Sequence, residues 1–296
     1  MPIGPATMSA SFPPALPPGR RLPLPGRGDT FVREIPGPQG APTVLLLHGW
    51  IATADLNWWN AYAELGRHFR VIAMDLRGHG RGLRGSGRFS FAGCAGDAAA
   101  TLAALDAAPA IVVGYSMGGP IAQVTWRDHP TAVRGLVLCA TSGHFRAPRG
   151  ERGVVTAIAY AVAYSPPPVR RRLLAYYLAR ARREDVYSEW LMSELGGHRM
   201  ADVLEAGREL RRFDSSGWIG AVDVPTSCLV TQRDDIVPPH RQYALAAAIP
   251  GASVRELDAD HLACARRADL FVPALVAACR EVAARGEARA ERGGAA

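Results

Sequence analysis

From residue 43 onward, short apolar runs alternate with longer Ala- and Leu-rich segments, and this alternation constrains the fold more than any other feature. The strand-like runs are 43–47, 70–74, 111–115, 135–139, 226–231 and 253–257. The helical segments between and after them are 57–68, 92–105, 117–128, 240–248 and 270–285. Strands that alternate with helices build a mostly parallel sheet with helices packed on its faces. The sequence therefore predicts an α/β fold.

The alternation is interrupted once, over residues 143–222. This stretch has no strand-like run, and helical segments are predicted at 153–164, 169–182, 187–195 and 201–213. Ligands of open α/β sheets bind at the carboxyl ends of the strands. An all-helical insertion between two strands is therefore predicted to form a lid over that end.

The chain ends are predicted to lie outside the core. Residues 1–27 are rich in proline and lack the charged start and apolar run of a secretory signal, so we expect a disordered leader. The core is expected to comprise 28–142 and 223–286, followed by a flexible tail at 287–296. The longest uncharged apolar stretch, 154–164, is shorter than the roughly 20 residues that cross a bilayer, so no transmembrane segment is predicted.

The charge of the chain bears on whether it binds nucleic acid or a membrane surface. The net charge is +7, and all 34 basic residues are arginine. Arginine runs at 170–172, 182–183 and 211–212 could attract nucleic acid or an anionic membrane, but apolar residues at helical spacing divide them. We interpret them as solvated helix faces and predict no nucleic-acid partner; the oligomeric state stays open.

Five cysteines are spread singly along the chain and do not form a C-x-x-C pair: Cys94, Cys139, Cys228, Cys264 and Cys279. Their odd number and wide spacing favour neither a disulfide framework nor a zinc site. We therefore expect a cytoplasmic protein without a metal or other cofactor.

The sharpest motif is Gly114-Tyr115-Ser116-Met117-Gly118-Gly119, which follows a strand-like run and precedes a helical segment. A G-x-S-x-G sequence in this context places the serine on a tight strand-to-helix turn, so that its Oγ projects from the end of the sheet. The two glycines allow the close passage of the backbone, and the helix N-terminus favours developing negative charge. Ser116 is therefore the candidate nucleophile.

Two further turns carry a family resemblance. His48-Gly49-Trp50 ends the first strand-like run, and Asp75-Leu76-Arg77-Gly78-His79-Gly80 ends the second. Together with the serine turn, they make the chain from about 43 to 285 resemble the α/β-hydrolase superfamily. The resemblance implies an oxyanion hole formed by the backbone N–H groups of Trp50 and Met117. His48 and His79 are expected to be structural, His48 bracing the oxyanion loop and His79 a turn.

A serine nucleophile needs a base, and that base needs a group that orients it. In this fold the chain order is serine, acid, histidine. His261 lies in the turn after the last strand-like run and is the predicted base. His240 precedes that strand, opens a helix and is expected at the surface.

For the acid, two carboxylates follow the strand at 226–231, and the family pattern Gly-x-x-Asp-x-x-Val-Pro aligns with Asp234. Thr231 then occupies the position of the family's usual glycine, and Asp235 remains the alternative acid. Asp258 and Asp260 are close to His261 in sequence, so we expect them to be turn residues.

The serine at the elbow favours acyl chemistry over the aspartate-dependent branches of the superfamily. We predict a serine hydrolase that cleaves a carboxylic ester or thioester through an acyl-enzyme. A cofactor-free lyase or carbon–carbon hydrolase of the same fold is the alternative, and a non-enzymatic receptor is a third reading. The apolar segment 153–164 and four tryptophans, Trp50, Trp58, Trp59 and Trp190, predict a mainly apolar cleft under the lid.

Overall fold

The computed structural model describes residues 14–85, 88–145 and 185–294. Eight strands form one sheet: β1 (Gly19–Leu24), β2 (Gly28–Ile35), β3 (Thr43–Leu47), β4 (Arg70–Met74), β5 (Ala110–Tyr115), β6 (Val133–Cys139), β7 (Thr226–Thr231) and β8 (Ser253–Leu257). Their spatial order is β1-β2-β4-β3-β5-β6-β7-β8. The two pairings of β2 are antiparallel, and all pairings from β4 to β8 are parallel. The predicted α/β-hydrolase architecture is confirmed.

The helices of the described chain are α1 (Ala54–Trp58), α2 (Tyr62–Gly66), α3 (Phe91–Ala104), α4 (Gly118–Asp128), α5 (Asp185–Gly196), α6 (Met200–Arg212), α7 (Pro239–Ala248), α8 (Ala263–Arg266) and α9 (Ala268–Gly294). Single 3₁₀ turns occur at Pro130–Ala132 and Ile219–Ala221. The predicted helix at 57–68 is divided into α1 and α2. Thr53 caps α1 by accepting the N–H of Leu56, which starts that helix earlier than predicted.

The central strands are buried on both faces, and their side chains alternate between two hydrophobic layers. In β3, Leu45 and Leu47 enter one layer, while Val44 and Leu46 enter the other. Strands covered on both faces form continuous apolar runs, which is why periodicity located β3 to β7 within two residues of their bounds. The edge strand β8 alternates between partly buried and exposed residues and was located with its correct bounds as well.

The predicted leader was wrong in its second half. Residues 19–24 form β1, which pairs antiparallel with β2, a strand that was also not predicted. Leu22 and Leu24 are buried while Arg21 and Pro23 are exposed, so the strand has one apolar face. Proline is tolerated here because β1 is an edge strand that needs donors on one side only. Residues 1–13 lie outside the described chain.

The predicted tail at 287–296 is helical as far as Gly294, where α9 ends. The extension is rich in alanine, glutamate and arginine, which have high helix propensity. The helix predicted from the sequence ended at residue 285 because the regular spacing of apolar residues ends there.

The predicted insertion at 143–222 contains α5 and α6, close to the predicted helices at 187–195 and 201–213; those at 153–164 and 169–182 lie outside the described residues. α6 contacts loops at the carboxyl edge of the sheet: the N–H of Arg199 donates to the Gly78 carbonyl at 2.9 Å, and the N–H of Phe89 donates to Glu205 at 2.8 Å. Within the described chain, no helix is long and apolar enough to cross a membrane.

Candidate active site

Ser116 lies at the carboxyl end of β5, on the turn that begins α4. Its φ is +51°, a left-handed conformation that is strained for a residue with a side chain. The turn is tight: a Cβ at Gly114 would lie 2.3 Å from the Gly118 carbonyl oxygen, and one at Gly118 would lie 2.2 Å from that of Leu47. Only glycine fits these two positions, so the strand-to-helix turn predicted from the motif is present.

His261 and Asp234 form a hydrogen-bonded row with Ser116. The Nε2 of His261 lies 2.9 Å from Ser116 Oγ, and its Nδ1 lies 2.7 Å from Asp234 Oδ2. All three residues are buried, and the side chain of Asp234 is completely so. In this row, Nδ1–H donates to the carboxylate and leaves Nε2 free to accept the serine proton.

The other candidates lie outside the row. Asp235 and His240 are exposed. Asp258 pairs with Arg233 at 2.9 Å, and Asp260 pairs with Arg266 at 3.2 Å. The Asp260 carboxylate also accepts the N–H of Leu262 at 2.8 Å, as a turn residue does.

The Asp234 carboxylate is held from every side. Its Oδ1 accepts the backbone N–H groups of Ile236 and Val237 at 2.9 and 2.8 Å. Its Oδ2 accepts the Thr231 hydroxyl at 2.7 Å and the Gln242 amide at 3.1 Å, besides His261. A carboxylate that accepts this many hydrogen bonds has one fixed orientation.

His48 orients the peptide unit that carries the Trp50 N–H. The Leu76 N–H donates to Nε2 of His48 at 2.9 Å, so the ring proton resides on Nδ1, which lies 2.8 Å from the Gly49 carbonyl oxygen. Complete burial lowers the pKa of His48 to about 3 and keeps the ring neutral. Because N–H and C=O point in opposite directions across a trans peptide, fixing the Gly49 carbonyl also fixes the Trp50 N–H.

Asn57 holds the same loop from the other side. Its Oδ1 accepts the Gly49 N–H at 2.7 Å, and its Nδ2 donates to the Cys264 sulfur at 3.2 Å. A Cβ on Gly49 would lie 3.4 Å from Ser116 Cβ, so the loop passes directly beside the serine. Within the described chain, the backbone N–H groups of Trp50 and Met117 donate to no backbone carbonyl, which leaves both available to a ligand.

His79 and His198 pack behind this loop, with ring centroids 5.3 Å apart. Nδ1 of His198 accepts the Gly80 N–H at 2.7 Å, and Nδ1 of His79 lies 3.1 Å from the Arg77 carbonyl oxygen. Burial lowers the pKa of each to about 3. Both rings are therefore neutral, and His79 occupies the turn where a structural role was predicted.

The four tryptophans do not share one surface. Trp58 is fully buried in the core against Tyr115 and Phe271, so its predicted contribution to a substrate cleft was wrong. Trp59 and Trp190 contact each other edge to face, with centroids 6.1 Å apart, and join α5 to the region after α1. Trp50 contacts α6.

Sequence reasoning missed two buried residues that support the site: Gln242 bonds to Asp234, and Asn57 bonds to the loop at Gly49. Their signals were weak, because an amide within a helical segment is ordinary in sequence and only the fold brings it to a loop or carboxylate.

Among the described residues, no group of three or more His, Cys, Asp or Glu side chains is arranged to hold a metal ion. The five cysteines are all unpaired and buried.

Comparison with known proteins agrees with this geometry. The profile of the alpha/beta hydrolase fold family matches residues 42–267. The chain therefore belongs to the alpha/beta hydrolase fold family.

Three individual proteins illustrate what the chain is similar to within this family. The chain is 31% identical over 221 residues to a pimeloyl-[acyl-carrier protein] methyl ester esterase of Chromobacterium violaceum, an alignment that covers 73% of this chain and 85% of the relative. A thermophilic esterase from Thermogutta terrifontis superposes with a TM-score of 0.71 at 25% identity, covering 90% and 99% of the two chains. An enol-lactonase from Burkholderia xenovorans LB400 superposes with a TM-score of 0.73 at 24% identity, covering 87% and 98%. The chain is therefore an enzyme of the esterase type.

Proposed function

We propose that the chain hydrolyses carboxylic esters through an acyl-enzyme on Ser116, with His261 as general base and Asp234 as the group that orients it. The observation that carries this proposal is the buried row of Ser116, His261 and Asp234, with contacts of 2.9 and 2.7 Å. The strained elbow at Ser116 presents its Oγ at the carboxyl edge of the sheet.

In the proposed reaction, Ser116 Oγ attacks the ester carbonyl carbon while His261 Nε2 takes the hydroxyl proton. The tetrahedral intermediate collapses, and His261 returns the proton to the leaving alcohol. Water, deprotonated by the same histidine, then attacks the acyl-enzyme and releases the acid. Asp234 stabilises the imidazolium that forms in each half-reaction.

We propose the backbone N–H groups of Trp50 and Met117 as donors to the oxyanion. Met117 N–H lies at the beginning of α4, where the helix dipole adds positive potential. The Trp50 N–H is oriented by the His48 clamp on the Gly49 carbonyl. Each such donor contributes about 3 kcal/mol of transition-state stabilisation.

For the substrate, we propose an uncharged ester with a medium-sized, mainly apolar acyl group. The Chromobacterium violaceum relative acts, by its name, on the methyl ester of an acyl group carried by a protein. The partly buried Trp50 and the contact between Trp59 and Trp190 provide apolar surface where the insertion meets the core. α5 and α6 are proposed to belong to a lid over this site.

The test combines labelling with turnover. A fluorophosphonate is expected to label wild-type enzyme at Ser116, and p-nitrophenyl esters are expected to show a burst of nitrophenol. Ser116→Ala should abolish both while the melting temperature stays within a few degrees, because the exchanged side chain is small. Retention of more than a few per cent of the activity by folded Ser116→Ala would refute the nucleophile assignment.

Acyl chain length tests the substrate proposal. Each CH₂ buried in an apolar cleft contributes about 0.8 kcal/mol, so kcat/KM should rise from acetyl to butyryl to hexanoyl esters. A flat or falling series would contradict an apolar acyl site without affecting the nucleophile assignment.

We also propose that the enzyme works in the cytoplasm. Five buried thiols without a disulfide suit a reducing compartment. Fractionation of cells that express the tagged chain, with assay of each fraction, tests this location.

A further inference from the structure

Trp50 has two hydrogen-bond donors that serve different parts of the molecule, its backbone N–H and its indole Nε1–H. Its backbone N–H is the proposed oxyanion donor in the loop after β3. Its indole Nε1–H donates to the Val203 carbonyl of α6 at 2.7 Å, across 153 residues of chain. The indole also packs against Gly207, one turn further along α6. One residue thus connects the insertion to the site where negative charge would develop.

The contact with α6 requires a glycine. A Cβ at Gly207 would lie 2.7 Å from Cζ2 and 3.2 Å from Cη2 of the Trp50 indole, closer than side chains approach one another. Gly207 is an interior residue of a 13-residue helix, where glycine costs roughly 1 kcal/mol relative to alanine. The close approach of the indole is a physical reason for this unfavourable residue.

α6 provides a fixed support for the indole. Besides Trp50, it is held by the bond from the Phe89 N–H to Glu205, and its preceding residue Arg199 is bonded to the Gly78 carbonyl. Ala206, which follows the same face as Val203, is completely buried in the core layer that Trp50 contacts. The Val203 carbonyl is therefore positioned independently of the loop that carries Trp50.

The loop itself needs support beyond Trp50. The next residue, Ile51, has a φ of +56°, a left-handed conformation that is costly for a β-branched side chain by about 1–3 kcal/mol. His48 and Asn57 hold the Gly49 side of the loop through the carbonyl and N–H of that residue. On the far side of the Trp50 N–H, the indole bond to α6 is the corresponding anchor.

We propose that α6 is a positioning element of the oxyanion hole, in which the Val203 carbonyl and the space over Gly207 hold the Trp50 indole and thereby keep the Trp50 N–H directed at the reacting carbonyl. This inference rests on the proposed ester hydrolysis at Ser116. Gly207 and Val203 touch no substrate in it, and they act only through Trp50.

Gly207→Ala is the first test. Alanine favours the helix by roughly 1 kcal/mol, which offsets much of the cost of displacing the indole, so the melting temperature should change by only a few degrees. We expect kcat to fall about tenfold with KM within about twofold, because an oxyanion donor acts in the transition state and not in the ground state. Affinity for a trifluoromethyl ketone, which forms an oxyanionic adduct with Ser116, should fall by the same factor as kcat. Gly196→Ala is the matched control, because a Cβ there meets nothing within 4 Å.

Trp50→Phe is the second test and does not depend on the first. It removes the indole N–H and the atoms that Gly207 approaches, so it should reproduce the loss of kcat and of ketone affinity. Adding Gly207→Ala to Trp50→Phe should then cause no further loss, because the clash has no partner. Additive losses in the double variant would show that Gly207 acts by another route and would overturn the inference.

The inference is also overturned if both single variants keep wild-type kcat and ketone affinity, or if only the melting temperature falls. Labelling of wild-type Ser116 by the fluorophosphonate reports separately on the proposed function. If Ser116 is labelled and turns over esters while the Trp50 and Gly207 variants behave as wild type, only the positioning role fails. If Ser116 is not labelled, the proposed function fails with it.

Discussion

At the scale of single residues, Asp234 differs from the adjacent Asp235 in its burial and in the hydrogen bonds that fix its carboxylate. Asp234 is buried and accepts bonds from two backbone N–H groups and three side chains. Asp235 is exposed. Adjacent carboxylates therefore have different environments, and only one of them can determine the tautomer of His261.

Asp234→Asn should lower kcat by about 10³-fold or more, because an amide neither fixes the Nδ1–H tautomer nor stabilises the imidazolium. Asp235→Asn should change kcat less than about twofold. Steady-state kinetics of both variants on one p-nitrophenyl ester measure the difference. Equal effects, or a larger effect at Asp235, would move the acid to the neighbouring position.

The sequence predicted the residues of the row but not the groups that support it. Ser116 and His261 follow from local context, because a strand-to-helix turn and the last strand end are both visible as patterns. Gln242 contacts Asp234 only because α7 packs back against the end of β7, and Asn57 reaches Gly49 only because α1 folds under the loop. Such contacts depend on tertiary packing, which has no local signature.

At the scale of elements, one arginine joins several pieces of the fold. Arg81, in the turn after β4, bonds to Asp75 at 2.9 Å, to Asp55 of α1 at 2.8 Å and to Glu194 of α5 at 3.4 Å. Arg33 of β2 also pairs with Asp55. Although burial acts to raise the pKa of Asp55, bonds from Arg33 and the charge of Arg81 hold it below its ordinary value.

Arg81→Gln should destabilise the protein by about 3 kcal/mol, because it leaves Asp55 and Asp75 buried with insufficient positive charge. Arg20→Gln is the control, since Arg20 is half exposed in a surface pair with Glu34 and should cost less than about 1 kcal/mol. Urea unfolding at pH 7 measures both free energies. A cost below 1 kcal/mol for Arg81→Gln would show that water compensates the two carboxylates.

Elements that were missed share a physical cause. β1 is an edge strand and β2, which pairs with it, has only two buried residues, so neither has the continuous apolar run that located β3 to β7. The last turns of α9 continue through helix propensity after its apolar spacing ends. Patterning therefore succeeds where burial is two-sided and fails at β1, β2 and the end of α9.

At the scale of the whole molecule, the buried imidazoles couple stability to pH. His48 and His79 are fully buried, and their pKa values are lowered by burial to about 3 from an ordinary value near 6.5. The partly buried His198 has a pKa lowered in the same direction. Burial raises the pKa of Glu194, which acts in the opposite sense and offsets part of the effect.

The sign of this coupling follows from proton binding. Between about pH 6.5 and pH 3 the unfolded chain binds protons on these histidines and the folded chain does not, so stability is lost as the pH falls. At pH 5, His48 and His79 should each reduce the free energy of unfolding by about 2 kcal/mol relative to pH 7. Urea unfolding at pH 7 and pH 5 measures the combined loss. Unfolding calorimetry should detect about two protons taken up by His48 and His79 at pH 5, against about half a proton at pH 7.

His79→Gln separates this mechanism from general acid effects. Glutamine does not titrate, so the loss between pH 7 and pH 5 should be about 2 kcal/mol smaller than in wild type, whatever the stability of the variant at pH 7. His240→Gln, at an exposed position on α7, should leave the pH dependence unchanged. If His79→Gln and wild type lose stability in parallel, and unfolding at pH 5 takes up no additional protons, the buried histidines do not carry the acid sensitivity. The cause would then be sought at Asp55, because a carboxyl group whose pKa is lowered in the folded protein also loses stability as the pH falls.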